Sequence, residues 1–371
     1  MVGITAVYDI IIVGAGPGGI AAAVKAKEAG LNYLIVEKGE DIFSGIISSY
    51  PTGKEVYPTI PKGASEGYLM SLLKPPEKKV TIEEFYIGVK EALKNLGGLN
   101  IKTVEEFKSF HKEGEILVVQ TNKADYQCRN LILAIGSNIP RKLKIYGDAR
   151  PIARTLHDPN KYLNQNVLVI GGGNTGADVV ITLSKLKREK GDQTKVYWAN
   201  RGEKFEVVRE VARDLGEEIL LGGDIEILED AKPVIGEVDE SGIRRLTIRI
   251  EEYSLDDEIK IYRSMSFPMK NVIACIGFMG PAQIFEQLGM ELMTHETGRK
   301  LELVILDENM QTSIKTVYAI GGAISPSYIK RSKDGKSDEV KHLNLIYTAV
   351  NDGAHVVEHI ASKLKGSITP S

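Results

Sequence analysis

The sequence predicts an α/β protein built from two Rossmann-like dinucleotide-binding domains, and two observations carry that expectation. One is a strand, glycine turn and helix at the front, YDIIIVGAGPGGIAAAVKAKEAGLNYLIVEKG, from Tyr8 to Gly39. The other is the same order of parts in NVLVIGGGNTGADVVITLSKLKREKGDQTKVYWANRG, from Asn166 to Gly202. A chain of 371 residues is too long for one ordinary core, which agrees with two domains.

In the front unit each glycine has a separate task. Gly14 makes the tight turn, Gly16 lets backbone approach a pyrophosphate, and Gly19 lets helix and strand pack closely, with Pro17 and Gly18 completing the turn. Phosphates are then expected at the helix N-terminus, where unpaired N–H groups and the helix dipole favour negative charge. The second strand, Tyr33 to Val36, ends on Glu37 and Lys38. A carboxylate at that place suits free ribose hydroxyls and repels a 2′-phosphate, so this site is expected to hold FAD or NAD rather than NADP.

The second unit repeats the fingerprint with Gly171, Gly173 and Gly176, with Asn174 and Thr175 between them. Its second strand ends differently. Trp198, Ala199, Asn200 and Arg201 offer a guanidinium and no carboxylate, and Lys204 follows. That pair can neutralise a 2′-phosphate and favours NADPH; if both are plain surface charges, NADH is the nucleotide. The run KLKREK, Lys185 to Lys190, reads as the solvated end of a helix. Two dinucleotide units in one chain imply electron transfer between two bound nucleotides.

Composition narrows the remaining classes. A formal net charge of −3 gives no acidic or basic excess, so neither nucleic acid nor a membrane surface is indicated as partner. Asp9 lies too near the start for a signal peptide and no apolar run is long enough to span a bilayer, so a cytoplasmic location is expected. Only Cys128 and Cys275 occur, far apart and each in an apolar run; with no CxxC, buried reduced thiols are expected and no metal site.

Between and after the two units the pattern is mostly strands. An irregular excursion with a short helical piece follows Glu37, and a helix starts at Thr81. Strands are expected at 99–103, 107–110, 116–121, 129–134, 225–228, 243–251, 259–262 and 271–276. One strand ending recurs three times: NLILAIG with Ala134 and Gly136, NVIACIGFMG with Gly277, and TVYAIGGAIS with Gly321 and Gly322. This recurrence suggests chain crossings between domains, each beside bound nucleotide. An apolar-periodic helix beginning near His342 to Asn344 and a frayed tail of five residues close the chain.

Two GxGxxG units, each later followed by a strand ending of this kind, resemble the two-dinucleotide flavoproteins of the pyridine nucleotide-disulfide oxidoreductase superfamily, in particular its thioredoxin-reductase-like group. The resemblance implies a discontinuous FAD domain, residues 1–139 and 281–371, with an NAD(P)H domain, 140–280, inserted into it. It further implies FAD on Gly14, Gly16, Gly19 and Glu37 with Gly136 and Gly321 lining the site, NADPH on Gly171, Gly173, Gly176 and Arg201, and a homodimer. The departures matter as much. The interval Pro140 to Gln165, where thioredoxin reductases carry CxxC, and the loop after Glu37, where glutathione-reductase relatives carry theirs, contain no cysteine.

Two branches look closer. SYPTGKEVY, the helix in PEKKVTIEEFYIGVKEAL, and NRGEKF are similar to the bacillithiol-disulfide-reductase-like branch, but its proposed cysteine falls where this chain has Gly18. Tyr50, Pro51 and Lys54 resemble the YPxK-like loop near the flavin in ferredoxin-NADP reductases of the thioredoxin-reductase type, which makes Tyr50 the expected ring to stack on the flavin. Most of the superfamily has Gly-Asp after the third strand ending, the Asp holding the FAD ribityl chain; here Gly322 follows Gly321. The resemblance thus implies an FAD-dependent NAD(P)H oxidoreductase. Hydride passes from NADPH to FAD and onward, without a catalytic dithiol or a named acid or base, to a small redox carrier protein such as ferredoxin or flavodoxin, or to a small-molecule acceptor. Flavin monooxygenase and a non-catalytic nucleotide-binding protein are the competing readings.

Overall fold

A computed structural model describes residues 7–56, 73, 76–137, 139–253, 260–297 and 299–366. Part of the irregular excursion (57–72) and the closing tail (367–371) lie outside the described residues, as does residue 259 of one expected strand. The chain divides into two units. The first takes the residues up to Ser48, Glu55–Ile139 and those from Met279 on; the second takes Ser49–Lys54 and Pro140–Phe278.

The first unit is built on a seven-stranded sheet. Tyr8–Val13 is its central strand, paired in parallel with Tyr33–Val36 on one side and Asp125–Leu133 on the other. Asp125–Leu133 is long enough to serve two neighbours. Residues 125–128 pair antiparallel with Ile116–Thr121, whereas residues 131–133 pair in parallel with Val317–Ala319. The run Ile10–Val13 is buried throughout, as expected of a parallel strand covered on both faces. The glycine-turn helix Pro17–Glu28 is rich in Ala and buried almost all round, from Ile20 to Val24. It is clamped by the closing helix: a Cβ on Gly353 would lie 2.2 Å from the Gly18 carbonyl oxygen. The opposite face of the sheet packs Ile11, Leu131 and Leu133 on Phe285, Val304 and Leu306. Helix Ile82–Asn95 opens at Thr81 with a reciprocal cap, Thr81 Oγ1 accepting from the Glu84 N–H at 3.2 Å and Glu84 Oε2 accepting from the Thr81 N–H at 2.8 Å.

The second unit carries a parallel sheet in the order Ile225–Leu228, Val196–Ala199, Val167–Ile170, Val272–Ala274. A second sheet, Tyr146–Gly147, Ala231–Val238, Arg244–Tyr253 and Lys260–Pro268, packs Leu246, Ile248 and Phe267 against Leu168, Ile170 and Val272.

Several expectations are corrected here. Ala231–Val238 is a strand that the pattern hides, because Pro233 and Gly236 break its alternation; the register shift between Pro233 and Ile235 absorbs the proline. The hairpin Ser327–Arg331 with Ser337–Lys341 is likewise hidden, because most of its side chains are charged or polar. The closing helix begins at Ile346, two residues past the expected span of His342 to Asn344; the His342 N–H donates to the Pro326 carbonyl, outside any helix. KLKREK is not wholly solvated. Lys187 is 3% exposed, and its ammonium donates to the carbonyls of Tyr162 and Gln165, to Thr194 Oγ1 and to Asp192 Oδ2 at 3.0 Å. Burial opposes ionisation of Asp192, but hydrogen bonds from Thr194, Asn164 and Lys187 hold its carboxyl below the usual carboxylate range.

Candidate nucleotide sites

The carboxyl ends of four parallel strands align in the first unit: Val13 is level with Val36 and Leu133, and Leu133 with Ala319. Gly14, Glu37, Ala134 to Gly136 and Gly321 to Gly322 therefore emerge on one edge, where open α/β sheets bind ligands. Gly14 has φ +100°, and a Cβ there would sit 2.4 Å from the Ala134 carbonyl oxygen. A Cβ on Gly19 would sit 1.9 Å from the Gly14 oxygen, whereas one on Gly16 meets nothing within 4 Å. The turn is thus closed underneath and open above. Gly16 caps the helix without a side-chain hydrogen bond, Pro17 takes the first helical position, and the first turn holds no acid. No acid of the helix's own first turn competes for the N–H groups of Gly18 and Gly19, which suits a pyrophosphate.

Glu37 is 7% exposed. Its Oε2 accepts from the Ala15 N–H and its Oε1 from the Gly39 N–H, both at 2.7 Å. An ionised carboxylate offers about four acceptor positions, so about two remain for ribose hydroxyls. Lys38 beside it is exposed. Gly136 and Gly321 both take positive φ, +69° and +65°, and a Cβ on Gly322 would meet the Ser137 nitrogen at 3.0 Å and Asn344 Oδ1 at 3.1 Å. These residues share one sheet edge, and the residues present fit a dinucleotide with a free ribose.

In the second unit the same backbone device recurs. Gly171 has φ +124° with the Cys275 oxygen 2.2 Å from its ideal Cβ, and a Cβ on Gly176 would meet the Gly171 oxygen at 2.1 Å. Helix Asn174–Glu189 also starts without a side-chain cap or an early acid, with Asn174 and Thr175 in its first turn. Above it lies a cavity of about 680 Å³ lined by Gly172, Gly173, Arg201, Lys204, Glu203, Glu206 and Asp230, among others. Arg201 and Lys204 are both exposed. The loop that carries them is pinned to the turn: the Glu206 N–H donates to the Gly172 carbonyl at 2.7 Å, and Asn174 Oδ1 accepts from the Val208 N–H at 2.8 Å. Gly277, at the end of the neighbouring strand, has φ +78°.

Two residues of this site escape sequence reading. Trp198 Nε1–H donates to the Gly171 carbonyl at 2.9 Å, and the Asn200 amide donates to the carbonyls of Gly202 and Lys204. The only signal for the first is a single tryptophan in the chain placed inside a glycine-unit strand.

Tyr50 lies in the segment Ser49–Lys54, which groups with the second unit. The Lys54 ammonium stands 5.5 Å from the Tyr50 ring centre and pairs with Asp178. Thr52 ties the same segment down, its Oγ1 donating to the His157 carbonyl at 3.0 Å. The two cysteines are free and buried, one in each unit. Burial pushes both thiols up to about 12. Among the described residues no cluster of His, Cys, Asp and Glu fits a metal ion.

Comparison with known proteins follows the same lines. The pyridine nucleotide-disulphide oxidoreductase family profile matches residues 11–321. The bacilliredoxin reductase Bdr of Bacillus subtilis is 26% identical over 325 residues, 84% of this chain and 88% of that protein. The ferredoxin-NADP reductase of Ignicoccus hospitalis is 24% identical over 317 residues, covering 84% and 89%. Among solved structures, the bacillithiol disulfide reductase Bdr of Staphylococcus aureus superposes with a TM-score of 0.72 at 19% identity, over 96% of this chain and 98% of that one. The thioredoxin reductase of Lactococcus lactis superposes at 0.67 with 21% identity, over 97% and 100%.

Proposed function

The chain belongs to the pyridine nucleotide-disulphide oxidoreductase family, and from that premise we propose how its two glycine-turn units divide the work. It is an FAD-dependent NAD(P)H oxidoreductase. FAD, when bound, supplies the electron-transfer chemistry, and the chain supplies binding, orientation and access. In this proposal residues 1–139 and 281–371 hold FAD and residues 140–280 hold the nicotinamide nucleotide. One observation carries the division: matched strands end on a buried carboxylate in one unit, Glu37, and on exposed cations in the other, Arg201 and Lys204.

Around FAD, the turn Gly14–Gly19 cradles the pyrophosphate, Glu37 accepts from the ribose, and Ala134, Gly136, Gly321 and Gly322 line the edge. In the second unit Gly171, Gly173 and Gly176 take the pyrophosphate of NADPH, and Arg201 and Lys204 take its 2′-phosphate. A second reading, NADH, is favoured by the carboxylates of Glu203, Glu206 and Asp230 in the same cavity, which oppose an added phosphate charge. Electrons leave by a route that needs no enzyme thiol, because Cys128 and Cys275 are buried, protonated near neutral pH and in different units. That favours a one-electron carrier protein as acceptor, as the name of the Ignicoccus relative suggests, over the small disulfide or disulfide protein that the Bdr relatives suggest. The resemblance to the thioredoxin-reductase-like group also supports a homodimer working in the cytoplasm.

The test is anaerobic mixing of the flavin-loaded protein with NADPH and, separately, NADH. Bleaching of the flavin band by at least one is expected, and no bleaching by either overturns the proposal. Reoxidation by a ferredoxin-type carrier, against a small disulfide, then identifies the acceptor class.

A further inference from the structure

The first unit contains a buried polar chain that the glycine turns do not use. Ser325, His342 and Asp352 are 6%, 9% and 6% exposed. Ser325 Oγ lies 2.6 Å from His342 Nδ1, and His342 Nε2 lies 2.9 Å from Asp352 Oδ2. The same Asp352 oxygen accepts from the Gly321 N–H at 2.9 Å, and Ser325 Oγ is 3.4 Å from the Gly321 carbonyl oxygen. The four groups close a ring. His342 Nε2–H donates to the Asp352 carboxylate, and Nδ1 and the Ser325 hydroxyl share one short hydrogen bond. Among the described residues His342 is the one ionisable partner bonded to Asp352.

A neutral Asn at 352 would accept from the Gly321 N–H equally well, so clamping the glycine does not by itself require a charge. Yet Asp352 sits in the middle of the closing helix, buried beside Gly353. Its charge is felt nearby: burial first and the Asp352 carboxylate second push the Tyr328 phenol up, and the Tyr328 ring stands edge-on to His342 at 6.5 Å. What the ring of bonds holds is the turn at Gly321, φ +65°, whose next residue abuts Gly136, Ser137 and Asn344 on the edge assigned to FAD.

We propose that Ser325, His342 and Asp352 are positioning residues for the flavin: the ring fixes the Gly321–Gly322 turn, and the imidazole bonded to Asp352 keeps an unpartnered buried carboxylate from opposing flavin reduction. The principle is electrostatic. Reduction adds negative charge to the ring system, so a lone buried carboxylate nearby makes it less favourable. The inference rests on the flavin assignment of this edge.

The experiment compares flavin-loaded wild type with His342→Gln, Asp352→Asn and the double variant. Spectroelectrochemical titration gives the flavin midpoint potential, fluorescence gives FAD affinity, and circular dichroism confirms folding. His342→Gln is expected to lower the equilibrium constant for flavin reduction at least tenfold, by removing the imidazole bonded to Asp352. Adding Asp352→Asn is expected to restore it to within about threefold of wild type, which a merely structural role would not do. Wild-type potentials in the folded His342→Gln protein, or a double variant worse than either single, overturn the inference alone. A wild-type chain that binds no FAD overturns the flavin assignment and the inference with it.

Discussion

The two glycine turns share a backbone and differ in what stands around it. At the first, Gly14 and Gly19 close the turn beneath an open Gly16, and the second strand ends on a carboxylate already bonded to two backbone N–H groups. At the second, Gly171 and Gly176 repeat the closure, but the strand ends in cations on a loop bonded back to the turn itself. The glycines answer to the pyrophosphate, which every dinucleotide shares. The residue at the end of the second strand answers to the ribose, which distinguishes one nucleotide from another.

The largest break in that comparison comes from the closed glycines. A Cβ at 1.9 or 2.1 Å from a carbonyl oxygen forces backbone apart, at a cost of about 3 kcal/mol or more, or roughly 100-fold in binding. Gly19→Ala is expected to purify colourless, and Gly176→Ala to stay yellow but resist reduction by NAD(P)H. Absorbance and single-turnover reduction read both outcomes, and a yellow Gly19→Ala protein would reassign the first turn.

The units also anchor their leading strands differently. The second has the buried Lys187–Asp192 pair beside its leading strand, whereas in the first an exposed Arg129 stands 3.8 Å from a half-buried Asp9. Removing one partner of a buried pair leaves the other charge unmatched, so Lys187→Ala is expected to cost about 3–5 kcal/mol in denaturant unfolding. Arg129→Ala should cost under about 1 kcal/mol. Equal losses would show that the burial of Lys187 carries no weight.

Next come the two ribose ends. Glu37→Gln weakens a charge-assisted set of hydrogen bonds, worth about 1.5–3 kcal/mol, and should raise the FAD dissociation constant roughly 10- to 100-fold. Arg201→Ala with Lys204→Ala should raise KM for NADPH about tenfold and leave KM for NADH nearly unchanged, from loss of charge pairing alone. Equal effects on both nucleotides would favour the NADH reading.

The smallest effect concerns the thiols, one in each unit. Both stand near 12 in the fold against 9.0 for a free thiol. The folded chain holds these protons more tightly than the unfolded chain. Their contribution is therefore intact below about pH 9 and is lost as the pH rises from there toward 12, where only the unfolded chain ionises. Native protein at pH 8 should not react with a thiol-specific disulfide reagent, and Cys275→Ala should keep full turnover. Rapid labelling of either cysteine would reopen a thiol route for electrons.

Much of this was legible in the residues. GAGPGG and GGGNTG give turn and close packing at fixed spacing, and Glu37 and Arg201 follow at the ends of short strands, so both candidate sites could be proposed locally. Lys187 could not: within KLKREK it looks like its neighbours, and the carbonyls of Tyr162 and Gln165, with Asp192 and Thr194, make it a buried donor. Tyr50 was legible as an aromatic loop residue, but its grouping with residues 140–278 comes from contacts distant in sequence, Thr52 with Leu156 and His157 and Lys54 with Asp178. Trp198 gave no hint that its indole would bond the glycine turn.

The sequence by itself determined the two glycine-turn units and the opposite charge at the ends of their second strands. These follow from backbone geometry and side-chain chemistry within about thirty residues, the span of one strand–turn–helix–strand unit. Tertiary structure alone decided which strand endings share an edge with Gly14, which lysine is buried, and that a carboxylate in the closing helix reaches the Gly321 turn. Each of those depends on contacts between segments far apart in the chain, and only the packing of sheet and helices fixes them.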